Sequence, residues 1–284
     1  MTYRAREPMA TSRRRPPKST ARQPARPRRR WPWLVAALPA LALLYVAVGF
    51  LRLPSTRELA RLARRPPTQS ALMRQRVEQA KGEGRQLAIR WRFVPLARIS
   101  PFLQHAVILS EDQRFWLHHG IDWGETREVI VESVRSGHLG RGASTLTQQL
   151  VKNLYLSEER SILRKLEEWV LATRIEKVLT KRRILELYLN FAEWGDGVFG
   201  AEEAARVHFG KSAAELDPAE AAVLTAMLPN PFARDPARPS RELRARSYRI
   251  AELMTAAGLV PRTAIRARLA QIVGPRAVIR RAAR

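Results

Sequence analysis

Residues 142–153 read Gly142-Ala143-Ser144-Thr145-Leu146-Thr147-Gln148-Gln149-Leu150-Val151-Lys152-Asn153, a polar loop that turns into an amphipathic helix. Ser144 is placed as the N-cap, and Leu146, Leu150 and Leu154 recur at i, i+4 and i+8, so this face looks into a core. Ser144, Gln148 and Lys152 share a different face, and Gln149 and Asn153 repeat that spacing beside them. Polar groups set around a helix N-terminus, whose free N–H groups attract anions, can present donors to a sugar or a phosphate. The alternative is an ordinary exposed polar face. It is weakened because amides crowd where long charged side chains usually provide solubility.

Upstream, Ser100-Pro101 starts an apolar helix that ends in Ser110-Glu111-Asp112-Gln113-Arg114-Phe115-Trp116-Leu117-His118-His119-Gly120. Desolvation at such an end raises a carboxylate's pKa and makes it a usable base; the alternative is a solvated Glu-Asp pair beside a core Phe115. His118 and His119 read as orienting or packing groups, because no second ligand pair at helical spacing accompanies them. Downstream, Arg164, Lys165 and Glu168 lie in the apolar stretch Ile162–Leu179. They form either a surface ion-pair cluster worth about 0.2–0.5 kcal/mol per pair, or a basic pair facing a pyrophosphate with the carboxylate holding the lysine, a sugar hydroxyl or a metal ion.

The rest of the chain gives mainly structural signals. Leu87, Ile89, Trp91 and Phe93 alternate with Arg90 and Arg92 as the one clear strand, and everything after it reads as helical. Ser55–Glu58, Asp122–Glu125 and Asp217–Glu220 have capping-box spacing. Ile184–Asn190, followed by Gly195, Gly197, Gly200, Ala201, Ala204 and Ala205, reads as a helix with turn glycines and small residues that permit close packing. Trp123, Val129, Ile130, Val131 and Val134 form either core or a membrane-facing lip. One mainly α domain is expected over residues 68–260, preceded by a linker at 52–67 and followed by a basic tail at 261–284.

Composition narrows the class. The 284 residues include 51 Lys+Arg against 26 Asp+Glu, a net charge of +25, and no cysteine. A disulfide scaffold, a thiolate metal site and a cysteine nucleophile are excluded. Residues 1–30 carry +10 and residues 262–284 carry +7, so most of the excess lies outside the core. Trp31–Leu51 holds no charged residue and, at about 1.5 Å per residue, spans about 31 Å, the thickness of a bilayer core. It reads as one transmembrane helix with Arg28–Arg30 on the cytoplasmic side, preferred over a cleaved signal peptide because of its length. The Pro- and Arg-rich segment 1–30 reads as disordered. Nucleic-acid binding is not expected, since the most basic segments lack interleaved aromatics.

Taken in order, Glu-Asp-x-x-Phe-x-x-His-x-Gly at 111–120, Gly-x-Ser-Thr-Leu-Thr-Gln-Gln-Leu-x-Lys-Asn at 142–153, Arg-Lys-x-x-Glu at 164–168 and Ile-Leu-Glu-x-Tyr-Leu-Asn at 184–190 resemble the successive motifs of the peptidoglycan glycosyltransferases. These are the polymerase domains of class A penicillin-binding proteins. With no room for a transpeptidase domain before residue 284, the chain most resembles the monofunctional biosynthetic members. One departure is Val207-His208-Phe209-Gly210, where the family commonly has Tyr-Phe-Gly. The resemblance implies a lysozyme-like, mainly helical fold, and a bacterial inner-membrane enzyme with its catalytic domain outside the cytoplasm. It also implies polymerisation of lipid II onto the growing glycan strand, with undecaprenyl diphosphate leaving and other cell-wall synthases as possible partners. By resemblance, Glu111 is the general base and Glu168 the second essential glutamate near the donor diphosphate. Arg164, Lys165 and Lys152 then stabilise the leaving diphosphate, and Ser144, Thr145, Gln148, Gln149 and Asn153 contact substrate. Magnesium or another divalent cation is expected, with ligands not assigned.

Two rivals stand beside this reading. A membrane-anchored lytic enzyme is disfavoured by the basic 164–168 motif, since a neutral glycosidic bond offers no diphosphate to neutralise. A non-catalytic cell-wall scaffold is the other.

Overall fold

The computed structural model describes residues 47–136, 144–159, 161–228, 230–232 and 234–275, with Met1, Ala37, residues 39–41 and Leu44 before them. The elements below all belong to the unit Val46–Arg284. Along the chain come α1 (Thr56–Ala60), α2 (Ala71–Gly82), β1 (Arg90–Trp91), α3 (Pro101–Glu111), α4 (Trp123–Ser136), α5 (Leu146–Tyr155), α6 (Ile162–Glu176), α7 (Lys181–Phe191), β2 (Glu193–Gly195), β3 (Val198–Phe199), α8 (Ala201–Phe209), α9 (Pro218–Met227), α10 (Arg241–Ala256) and α11 (Arg262–Val273).

The core is organised around α9. Asp217 and Glu220 form its capping box, and every residue from Ala219 to Met227 is buried. Alanines at 219, 221, 222 and 226 keep this helix thin, so α3, α10 and α11 all pack directly on it. In a second group α5 packs against α6 and α7, with α2 on α5 and α1 on α6. Leu146, Leu150 and Leu154 are buried as their spacing requires. The two groups meet where the C-terminal end of α3 abuts the N-terminus of α5, through a hydrogen bond from Leu146 N to Asp112 Oδ2 of 2.9 Å.

A small sheet runs β1-β3-β2, with β1 parallel and β2 antiparallel to β3. The alternation at residues 87–93 survives in burial, Leu87, Ile89, Trp91 and Phe93 being half-buried and the residues between them exposed. Regular pairing nevertheless covers only Arg90 and Trp91, because its partner strand is two residues long. The expectation of helix throughout the later chain is corrected by β2 and β3. Gly200 after them has φ +82°, and a Cβ there would lie 2.9 Å from the Asn190 carbonyl oxygen, so no other residue fits. His208, at the departure from the family pattern, places Nε2 2.9 Å from the Trp194 carbonyl oxygen.

Both expected domain boundaries shift outward. Leu59 and Leu62, in the segment assigned as a linker, are buried, because α1 lies on α6. The tail assigned to 261–284 begins with α11, whose Ile265, Leu269 and Val273 form a buried stripe at i, i+4 and i+8 against α9 and α10. Arginines at 262, 266 and 268 between the apolar positions mask that stripe in the sequence. No helix among the described residues is long and apolar enough to cross a membrane. The run 31–51, read as a membrane span, lies largely outside the described residues, as do 2–30 and 276–284; its described positions at 37, 39–41, 44 and 47–51 are helical.

Leu269 is fully buried. Leu269→Ala therefore costs about 2–5 kcal/mol of stability, read as a lowered midpoint in thermal or urea unfolding, whereas an unchanged midpoint would mean that α11 does not belong to the folded body.

Candidate active site

Glu111 is the last residue of α3, with a side chain only 12% exposed. Arg246 Nη2, from α10, donates to its Oε1 at 2.6 Å and to Ser110 Oγ at 3.2 Å. From the other side Gln149 Nε2 lies 3.4 Å from Glu111 Oε2, and the Gln149 amide is oriented by Tyr188, whose hydroxyl donates to Oε1 at 2.9 Å. Burial pushes the Tyr188 phenol well above its usual pKa, so it remains a donor. Arg246 was not singled out in the sequence, where an arginine on a basic helix carries no signal. Tyr188 lay in a segment read as purely structural.

Asp112, the next residue, does different work. Its buried carboxylate accepts the Leu146 N–H and faces His118 Nε2 at 2.9 and 3.0 Å, which makes His118 an orienting group as expected. The N-cap of α5 is Thr145 rather than Ser144: its hydroxyl accepts from Gln148 N, while Gln148 Oε1 accepts from Thr145 N. The register moves by one because Thr145 Oγ1 also donates to the Gly120 carbonyl at 2.6 Å, tying the cap to the loop after α3. Thr145 and Gln148 are thus buried and hydrogen-bonded within the protein rather than on an open polar face.

The basic motif converges on Glu168, which is 3% exposed. Arg164 Nη1 donates to its Oε2 at 2.9 Å, Lys165 Nζ to its Oε1, and Gln148 Nε2 to Oε1 at 3.3 Å. Lys165 also reaches Ser144 Oγ at 3.0 Å, joining α6 to the loop before α5. The surface ion-pair alternative does not describe this buried, shared carboxylate. The Lys152 ammonium makes no hydrogen bond or ion pair among the described residues; burial lowers its pKa, opposed by the field of Glu168. With Gln149, Asn153 and Tyr188 it lines a groove of about 260 Å³. A second cavity of about 670 Å³ is bounded by Glu111 and Arg246. Gly142, in the polar loop before α5, lies outside the described residues.

No three His, Asp or Glu side chains converge among the described residues, and both Glu168 oxygens are engaged by cations or an amide. A protein-held metal does not fit these residues. On the surface, Trp123 is 60% exposed and packs edge-on against Trp169 at 5.4 Å, and Val131, Trp116, Leu117, Ile162 and Leu166 are also exposed, so the stretch beginning at Trp123 is not uniformly core.

Arranged this way, the Glu111 carboxylate lines one cavity and is joined through Gln149 to a groove that holds a desolvated lysine. A family model described as Transglycosylase matches residues 79–255. The biosynthetic peptidoglycan transglycosylase of Rhodospirillum centenum is 47% identical over 222 residues, 78% of this chain and 89% of the relative. Those of Bordetella pertussis, 46% identical over 196 residues (68% and 81%), and Neisseria gonorrhoeae, 42% over 200 residues (70% and 83%), are similar to it in the same way. With the motifs, the helical fold and these matches in agreement, the chain belongs to the transglycosylase family, that of the biosynthetic peptidoglycan transglycosylases.

Proposed function

We propose that this chain, a peptidoglycan glycosyltransferase by family, polymerises lipid II into glycan strands with Glu111 as the general base. The observation that carries this reading is one half-buried carboxylate that lines the larger cavity, fixed by Arg246 and by Gln149, whose side chain also lines the Lys152 groove. An acceptor sugar's C4 hydroxyl gives its proton to Glu111 as its oxygen attacks the donor's anomeric carbon. The bond to the diphosphate breaks, and its electron pair stays on the phosphate oxygen. An α-linked donor giving a β-linked product needs only this single inverting displacement, with one base and a stabilised leaving group. Lys152, Arg164 and Lys165 meet the charge that develops on the diphosphate. Glu168 keeps Arg164 and Lys165 in place, and Arg246 fixes the direction of the Glu111 lone pairs. Ser144, Gln149 and Asn153 complete the polar wall. A magnesium ion in this reaction would be held chiefly by the substrate's phosphate oxygens, and no step above passes through it.

The same reading places the enzyme at the bacterial inner membrane. Residues 31–51 anchor it, the N-terminus is cytoplasmic, and the exposed face around Trp123, Ile162 and Leu166 lies against the bilayer that delivers the lipid-linked substrate. Its products and other cell-wall synthases are met on the outer side.

Glu111→Gln keeps the side chain's shape and removes its basicity. Polymerisation of lipid II should fall by about 10²–10⁴-fold with an unchanged unfolding midpoint, and a variant retaining half of the wild-type rate would dismiss Glu111 as the base. Lys152 must be protonated to meet a phosphate, and its lowered pKa means that it loses its proton at a lower pH than a solvated lysine does. The alkaline limb of kcat/KM should therefore begin below the usual lysine range, and Lys152→Arg should move it to higher pH; superimposable alkaline limbs would remove Lys152 from the reaction.

A further inference from the structure

The cavity lined by Glu111 and Arg246 has further lining residues that the chemistry above leaves unused. It measures about 670 Å³, and its walls come from the end of α3, the first turns of α4 and the middle of α10. Glu125 and Glu128 stand three residues apart on α4, and Arg249 follows Arg246 by three residues on α10, so each pair shares a helix face. Arg246 is taken up by Glu111. The side chains of Glu125, Glu128 and Arg249 have no hydrogen bond or ion pair among the described residues, whereas Arg114 beside them is spent on Asp122 at 3.4 Å.

We propose that this cavity receives the acceptor and that Arg249, Glu125 and Glu128 read the zwitterionic peptide carried by its muramic sugar. The inference rests on the lipid II reading. A diphosphate is a poor occupant, since it would satisfy one arginine while meeting two unpaired carboxylates. A peptide that bears both a carboxylate and an amine answers both signs at once: the guanidinium takes the carboxylate as a two-pronged donor, and the paired glutamates take the amine. The Glu125 carboxyl already has its pKa raised, by partial desolvation first and then by Asp122, Asp112 and Glu128, the state that an arriving ammonium relieves. A saccharide with neutral hydroxyls alone gives no reason for three unpaired charges in one cavity. The Leu253 and Ile250 side chains at the base of the same wall offer apolar contact to small peptide side chains.

The test uses the full-length enzyme with a preformed lipid-linked tetrasaccharide as saturating donor. Two acceptors are compared: lipid II with its peptide intact, and lipid II from which an amidase has removed the peptide. Wild type should show an acceptor KM about tenfold lower for the intact molecule, the worth of one charged hydrogen bond. Arg249→Ala, and separately Glu125→Gln combined with Glu128→Gln, should abolish that preference by raising KM for the intact acceptor while leaving KM for the trimmed one where it was. All three positions are exposed, and equal unfolding midpoints check that the variants fold. A wild type indifferent to the peptide overturns the inference, as does a substitution that raises both KM values equally. Failure to elongate either acceptor overturns the polymerase reading itself, so the two failures are told apart.

Discussion

The carboxylate of Asp112 is the joint on which the site depends. It is 3% exposed, accepts the first free N–H of α5 at Leu146, and faces the His118 ring. A buried charge is tolerated only with such partners, and a hydrogen bond to a charged group is worth about 1.5–3 kcal/mol net. The helix dipole of α5 adds to it, since its positive end points at the carboxylate. Because Asp112 directly follows Glu111, anchoring one fixes where the other emerges. The end of α3 and the start of α5 are therefore positioned together.

From that joint, α5 distributes the remaining groups by its own periodicity. Thr145 at its cap holds the Gly120 carbonyl, Gln148 one turn on reaches Glu168, and Gln149 beside it reaches Glu111. Lys152, a further turn along, enters the groove without a partner. One ten-residue helix thus sets the Glu111 side and the Glu168 side at a fixed spacing. The surrounding packing keeps it rigid: its leucines are fully or almost fully buried, and α9 supports α3 from behind.

What was legible in the sequence follows from how local each signal is. The leucine stripe of α5, the capping boxes at Ser55 and Asp217, and the spacing of Arg164, Lys165 and Glu168 are i, i+3 and i, i+4 relations, and they appear where their periods place them. The N-cap slipped from Ser144 to Thr145 because a contact with Gly120, 25 residues away, outweighs two hydroxyls that are locally equivalent. Arg246 stayed hidden for the same reason, since its meaning lies in a contact 135 residues distant. β2 and β3 are too short for alternation to register, and the three arginines of α11 equal its apolar stripe in number.

The trio at Glu168 has one more consequence. Lys152, Arg164 and Lys165 with one carboxylate among them carry two net positive charges. In the proposed reaction the donor is a diphosphate esterified at both ends, and its two negative charges are only balanced by these four groups. Once the sugar departs, the freed terminal phosphate, with a second ionisation near pH 6, gains most of a third. The attraction therefore grows as the bond breaks, which favours the transition state over bound donor. On that proposal the spent diphosphate carrier is the tightest guest of the pocket, and the pace of successive additions is tied to how quickly it leaves.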